Sequence, residues 1–547
     1  MLRAVKTAFL VLTILSAVLI HLPLHDFILS LSQGDHGRDF YAFGRTALGE
    51  TPYRDFFWNY GPLMPYFYAL FMKLFGATIA SVLLGDIFLK IVSTGLFFIS
   101  LCLFIEAPMA LLGAVWFCAF NPNFFHTYNH VGAITMMFLT LYLIFKYIQK
   151  PAPQWIYFML LPLLAVFLIK INMGISTLAA TGISLWIIDT SQKVSFSKKI
   201  AHLALVSLVL PATIIIYALF LQGLPQYYIS QCLVLPFKDA IVYELTFFSR
   251  LIKVILLIFL SPHTTYSILL KNLKFYMVYW PALTLVLLLM GSISVVYWKK
   301  AVKNESVPRK SLWLAILVII LFCAFNLHEY FLSNGNYKFY WATPFLFLLF
   351  FLIAGVVIRR LRLPLKIIIF LILTATIFLN DNLNYLAKER MVKGRNFLFL
   401  QHENARIYVN NPLEWILTVQ QTTRYLAQNL RPDESFLALP IDPLFYFLMG
   451  KKSPVPEIFF SLEVHIIEEQ ELRIIKDLEN QQLPYIVYSN RCLGDPNDNL
   501  GRFGHTHCRL LANYLASHYT EVERFGDWSK PGEWASNYAV IIFKRRI

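Results

Sequence analysis

The chain has 547 residues, of which 58% are apolar and only 14% charged, and carries a formal net charge of +15. That balance excludes a water-soluble enzyme and points to a polytopic helical membrane protein, because each spanning helix satisfies its own backbone in lipid. It also argues against nucleic acid as a partner. The Lys and Arg residues gather in short links between apolar runs, as in Lys299–Lys310 and Arg359–Lys366, where they orient helices with the basic side inward.

The first apolar run, from about Ala8 to Leu24, ends without a small-residue cleavage site and reads as a retained first helix. Counting it, the length rule predicts about eleven spans: residues 7–24, 79–104, 107–121, 131–148, 155–169, 173–190, 200–222, 279–298, 311–326, 340–358 and 364–380. With the N-terminus in the cytoplasm, the basic links near Lys146–Lys150, Lys193–Lys199, Lys299–Lys310 and Arg359–Lys366 all fall on the inner face. Leu251–Leu260 is too short to cross and is expected to lie in the interface or re-enter. The mid-span ions Asp86 and Lys90 stand four residues apart, a spacing at which they can neutralise each other.

This topology places residues 25–78 outside. There, GDHGRDFYAFGRTALGETPYRDFFWNYGPL (Gly34–Leu63) interleaves charges with aromatics and turn residues. Phe40, Phe43, Ala47 and Leu48 recur at helical spacing, with Arg38, Asp39 and Arg45 directed elsewhere, so a short helix lying on the membrane surface is expected. Asp35 and Asp39, four residues apart, share one of its faces. A second, aromatic-rich interfacial helix follows in NYGPLMPYFYALFMKLFG. A carboxylate so placed can take a proton from an acceptor hydroxyl, and nearby cations can hold a phosphate.

Other outward segments converge on the same end. FNPNFFHTYNHVG contains His126 and His130 at the spacing of a helical metal pair, although Pro122 and the asparagines suggest a loop. Lys170, beside Asn172, either snorkels to water or contacts phosphate. The loop Asn326–Phe345 offers His328, Glu329, Tyr337 and Lys338 for donor phosphate or sugar, against a merely solvated alternative.

Beyond about residue 381 the composition turns polar and mixed. Helices are expected over Leu413–Leu430, Glu468–Gln482 and CRLLANYLASHY, and strands over Ser435–Pro440, PYIVYSN and YAVIIFKRR, giving a small α/β domain over residues 381–547. Cys102, Cys118 and Cys323 are expected to be apolar filler, and Cys232 has no evident partner. Cys492 and Cys508 are a candidate disulfide. There is no P-loop, dinucleotide fingerprint or Cys-rich zinc spacing, which suits a lipid-linked donor better than a nucleotide sugar.

The pattern D-x-G-x-x-x-Y-x-x-x-R-x-x-x-G-x-x-P-Y-R-D-F from Asp35, followed by G-P-L-x-P-Y-x-Y-A-L-F-x-K-L-F-G, resembles the first periplasmic loop of bacterial GT-C glycosyltransferases. These form the clan of protein O-mannosyltransferases, dolichyl-phosphate-mannose mannosyltransferases and lipid A aminoarabinose transferases. FLALPIDPLFYFLMGKKSPVP and Trp341-x-x-Pro344 are similar to later elements of that clan. The resemblance implies a GT-C-type transmembrane domain over residues 1–380 in a bacterial inner (plasma) membrane, with a periplasmic C-terminal domain. It implies a polyprenyl-phosphate sugar donor, a glycolipid, polysaccharide or protein acceptor, and an acidic loop residue as base. Asp35 matches the first acid of the family's Asp-Glu pair; His36 replaces the second, so Asp35 acts alone or Asp39 supplies the other carboxylate. Tyr53, Arg54 and Asp55 match the PYRDF element, while Asn59-Tyr60-Gly61 departs from the family's usual residues and bears on sugar choice. Donor or acceptor contacts are thus expected from Arg38, Arg45, Tyr53, Arg54, Asp55, Asn59, Lys170, His328, Tyr337 and Lys338. No metal ligands are assigned, although a divalent cation is compatible with the reaction. The rival readings are a transporter or flippase of lipid-linked saccharides and a non-catalytic envelope assembly protein.

Overall fold

The computed structural model describes residues 2–23, 27–120, 128–234, 307–326, 329, 344–359, 361–378, 398–491, 501–532 and 536–546. Its first part is a helical bundle. In chain order it contains α1 (Leu2–His21), a two-residue strand β1 (Ile28–Leu29), α2 (Asp35–Ala47), α3 (Leu63–Phe75), α4 (Ile79–Leu101), α5 (Ala107–Phe120) and α6 (Tyr128–Gln149). Then come α7 (Pro153–Ile169), α8 (Ile171–Ser191), α9 (Phe196–Ser207), α10 (Val209–Leu221), α11 (Val307–Asn326), α12 (Pro344–Arg359) and α13 (Leu363–Phe378). Among the described residues five stretches are long and apolar enough to cross a bilayer: Ala4–His21, Ile79–Leu101, Tyr128–Gln149, Ile171–Ser191 and Phe196–Leu221. The last comprises α9 and α10. It breaks at Leu208 because the ring of Pro211 clashes with the carbonyl four residues earlier. The chain is a multi-pass membrane protein. The expected span 279–298 and the segment Leu251–Leu260 lie outside the described residues.

The C-terminal part is α/β, as expected. A hairpin of β2 (Leu398–His402) and β3 (Ala405–Val409) leads into α14 (Leu413–Asn429). After it come β4 (Phe436–Leu439), α15 (Leu444–Met449), α16 (Glu468–Asn480), β5 (Tyr485–Ser489), α17 (Arg509–His518), β6 (Tyr519–Phe525) and β7 (Val540–Arg545). The larger sheet has the order β4-β5-β7-β6; β4 and β5 are parallel and the other neighbours antiparallel. Its two parallel strands are buried continuous apolar runs, FLAL and YIVYS, as sheet covered on both faces requires.

Residues 28–33 bind the two parts together. β1 adds to β3 in parallel register, Ile28 opposite Tyr408 and Leu29 opposite Val409. Asn411 closes a two-way bond with Leu31, its Oδ1 accepting the Leu31 N–H at 2.8 Å and its Nδ2 donating to the Leu31 carbonyl at 2.8 Å. Trp415 donates its indole N–H to Gln33 Oε1 at 3.1 Å. The segment before α2 is therefore on the same side of the membrane as the C-terminal domain.

The surface-helix expectation for α2 needs correction. Phe40 and Phe43 do pack toward the bundle, Phe43 stacking on Tyr68 at 4.6 Å, but the opposite face is covered too. Tyr41 meets Tyr446 at 5.5 Å, Phe40 meets Phe447 at 5.6 Å, and the Tyr41 hydroxyl accepts the Ser453 N–H at 3.0 Å. Hydrophobic spacing identified one buried face and gave no sign that α15 would bury the other. Gly37 permits this contact, since a Cβ there would stand 2.3 Å from the Leu444 backbone nitrogen. Replacing Gly37 with valine must push backbone against backbone. It should cost about 1–3 kcal/mol or more of stability, read as a lower unfolding midpoint in detergent and faster proteolysis between the two parts. An unchanged midpoint would disprove the packing.

Candidate active site

The site begins at the N-terminus of α2, where Gly34 is the cap and Asp35 the first helical residue. The exposed amide dipoles there favour a negative side chain, and Asp35 also anchors its own N–H to Ser32 Oγ at 3.2 Å. One turn on, Arg38 reaches back to Asp35 Oδ1 at 3.1 Å and forward to Asp39 Oδ1, through Nη2 at 2.8 Å and Nε at 2.9 Å. Asp35 and Asp39 thus share the Arg38 cation.

The two acids differ in environment. The Asp35 side chain is 25% exposed, whereas Asp39 is fully buried and its Oδ2 has no hydrogen-bond partner among the described residues. Burial, opposed by Arg38 and reinforced by Asp35, raises the Asp39 carboxyl to about 7. Arg38 lies in an aromatic box, its guanidinium 4.9 Å from the Tyr60 ring centre, 5.7 Å from Phe459 and 5.8 Å from Trp58. Such stacking holds an arginine in one orientation. Phe459 comes from the C-terminal part, so both parts build the box. Trp58 and Phe459 escaped sequence reasoning because nothing local distinguishes them from core aromatics.

The remaining candidates divide by place. Arg45 pairs with Glu50, which also takes Lys452 Nζ at 2.8 Å, tying the end of α2 to the C-terminal domain. Tyr53 is fully buried and donates its hydroxyl to the Tyr60 carbonyl, fixing the loop that carries Asn59. Arg54 and Asp55 pair with each other at 2.8 Å, Arg54 pointing largely to solvent. Asn59 has a buried Oδ1 without a hydrogen-bond partner among the described residues.

Gly61 links this loop to a second cluster. Its N–H donates to the Ile169 carbonyl at 2.9 Å, and a Cβ would stand 2.1 Å from the Leu168 carbonyl oxygen. Lys170, in the extended junction between α7 and α8, places Nζ 2.7 Å from Glu329 Oε2 and 2.6 Å from His130 Nε2. His130 Nε2 lies 2.9 Å from the same Glu329 oxygen, and Asn172 Nδ2 donates to the other at 2.8 Å. Through that Gly61–Ile169 bond the loop carrying Tyr60 adjoins the Lys170 cluster. His126, His328, Tyr337 and Lys338 lie outside the described residues. So does Cys492, while Cys508 is a buried free thiol.

The acids do not form an open fork for a divalent cation, because Arg38 bridges them. No group of three His, Cys, Asp or Glu side chains comes together for a metal among the described residues. Deeper in the bundle Lys90 and Asp86 meet at 2.7 Å, at the expected spacing.

A family model described as dolichyl-phosphate-mannose-protein mannosyltransferase matches residues 59–217. None of the curated proteins matches by sequence. Among solved structures, the apo oligosaccharyltransferase of Archaeoglobus fulgidus is similar over 98% of this chain and 76% of its own, with a TM-score of 0.51 and 11% identity. ArnT from Cupriavidus metallidurans bound to undecaprenyl phosphate is similar over 99% and 97%, with a TM-score of 0.47 and 13% identity. The arabinofuranosyltransferase AftD from Mycobacteria covers 100% of this chain with 40% of its own, at a TM-score of 0.41 and 13% identity. The match over residues 59–217 and the fold shared with the archaeal enzyme agree with the resemblance carried by the first loop, on a chain that is a polytopic membrane protein.

Proposed function

We propose that the chain is a glycosyltransferase that moves a sugar from a polyprenyl-phosphate donor to a hydroxyl of a glycolipid, polysaccharide or protein. The observation that carries this reading is the division of labour around Arg38: one carboxylate reaches solvent and the other is buried. Asp35, at the positive end of α2, is the base that takes the acceptor's hydroxyl proton. The acceptor oxygen then attacks the anomeric carbon, the bond from that carbon to the phosphate oxygen breaks, and the lipid phosphate leaves with the electron pair. Phosphate is a good leaving group, so cationic stabilisation suffices and no strong general acid is needed. Asp39 positions Arg38 and through it Asp35. Arg45, Arg54, Asp55, Asn59, Lys170, His328, Tyr337 and Lys338 are proposed around donor and acceptor, with Tyr53 acting through the Tyr60 loop.

The family match and the fold support this reading over transport. The intramembrane Asp86–Lys90 pair neutralises itself, which removes the feature that most favoured a flippase. In this proposal the protein sits in a bacterial inner membrane, with residues 1–380 as the membrane domain, the N-terminus cytoplasmic and residues 381–547 in the periplasm.

The deciding experiment is transfer by purified Asp35→Asn, or the surface glycans of cells expressing it. A lost general base should cost 10²- to 10⁴-fold in rate, roughly the range for such groups, with the unfolding midpoint preserved. Full activity in folded Asp35→Asn would refute the assignment. Asp39 has a separate signature. Its carboxyl is raised from 3.8 to about 7, so over that window the folded chain keeps a proton that the unfolded chain has lost. Its contribution to stability therefore falls as pH rises from about 4 to about 7 and levels off above. In Asp39→Asn that part of the slope should vanish from unfolding midpoints measured at pH 5 and 7.5; an unaltered slope would contradict it.

A further inference from the structure

Glu329 is surrounded in a way that a structural ion pair does not require. Polar groups from α6, α8 and the α7–α8 junction converge on its two oxygens: Lys170 Nζ donates to one at 2.7 Å, His130 Nε2 lies 2.9 Å from the same oxygen, and Asn172 Nδ2 donates to the other at 2.8 Å. His130 is the third residue of α6, and Lys170 and Asn172 flank the first residue of α8, so all three groups stand on the bundle itself. Glu329 lies outside those helices, three residues beyond the last residue of α11. The carboxylate is fully buried and His130 nearly so. An ammonium, an imidazole and an amide spaced around two oxygens also suit the non-bridging oxygens of a phosphate.

Charge balance favours exchange of one anion for another. Removing Glu329 alone would leave a buried lysine uncompensated, which is costly. A phosphate entering as Glu329 leaves keeps Lys170 paired throughout. The cradle also adjoins the Arg38 box, since Gly61 donates to the carbonyl of Ile169, the neighbour of Lys170, and Tyr60 beside it lies under the Arg38 guanidinium.

We infer that Lys170, His130 and Asn172 form the seat of the carrier lipid's phosphate, and that Glu329 is an internal anion that occupies it at rest. This rests on the reading of the chain as a transferase with a lipid-phosphate donor. Glu329 is displaced when donor binds and competes with the spent lipid phosphate afterwards, so it sets product release.

The test is binding of undecaprenyl phosphate to the full-length protein in nanodiscs, with inorganic phosphate as competitor. Glu329→Gln keeps the shape but loses the charge, and should bind the lipid phosphate about tenfold more tightly, the equivalent of about 1.4 kcal/mol. Asn172→Ala removes one donor without unpairing a charge and should bind it several-fold more weakly. Unchanged or weaker binding by folded Glu329→Gln would overturn the inference, because a purely structural glutamate gives that result. Inorganic phosphate competing as strongly as the lipid would also overturn it, by reassigning the cradle to a free anion. Wild-type protein that ignores undecaprenyl phosphate altogether would instead sink the donor class proposed above. Wild-type binding that neither variant alters would leave that donor class standing and remove the cradle.

Discussion

Arg38 brings its positive charge to two carboxylates inside a nearly closed box, and the rest of the candidate site follows from how unequally the two are placed. One guanidinium cannot fully compensate two ionised acids away from water, so their environments have to differ. The fold separates them by helix position. Asp35 has the amide dipoles of the first turn and a path to solvent, while Asp39, one turn later, has neither. Two acids of the same chemical type thereby acquire different proton affinities, the general means by which one site supplies a base and a supporting group.

That separation depends on the C-terminal domain. The box around Arg38 is closed by Phe459, and α2 is covered by α15, which comes close only because Gly37 carries no side chain. The same principle recurs at Gly61, where the loop holding Asn59 and Tyr60 lies directly against the carbonyls that end α7. Two glycines thus fix the distances between three pieces: the acid-bearing helix, its covering domain and the Lys170 cluster. The C-terminal domain is accordingly part of the wall of the site.

The legible part of the structure was the part encoded by local pattern. The helices from Ile79 to Ser191 appeared as long apolar runs, and β4, β5 and β7 as short apolar runs bounded by turns. β6 was missed because its sequence, YTEVERF, is an exposed edge whose charged residues give no buried alternation. Within the site, Asp35, Asp39 and Arg38 could be named from spacing on one helix. Their inequality could not, since it arises from Phe459 and α15, more than 400 positions away in sequence. Lys170, Asn172, His130 and Glu329 were each visible as polar residues at outward ends, but only folding shows the first three meeting on one carboxylate.

The same contrast separates catalysis from transport as uses for buried charge. A transport path needs ionisable groups that lie along the route and exchange partners as cargo moves. Here Asp86 and Lys90 sit one helical turn apart on α4 and close on each other at 2.7 Å, a bond made within one rigid helix that no movement between helices would break. The Glu329 cluster instead joins charges across elements, and the Arg38 cluster, whose charges all stand on α2, is enclosed by a ring from the C-terminal part. Charges fixed within a helix hold that helix, whereas charges assembled between elements at a shared rim can hold a ligand between them.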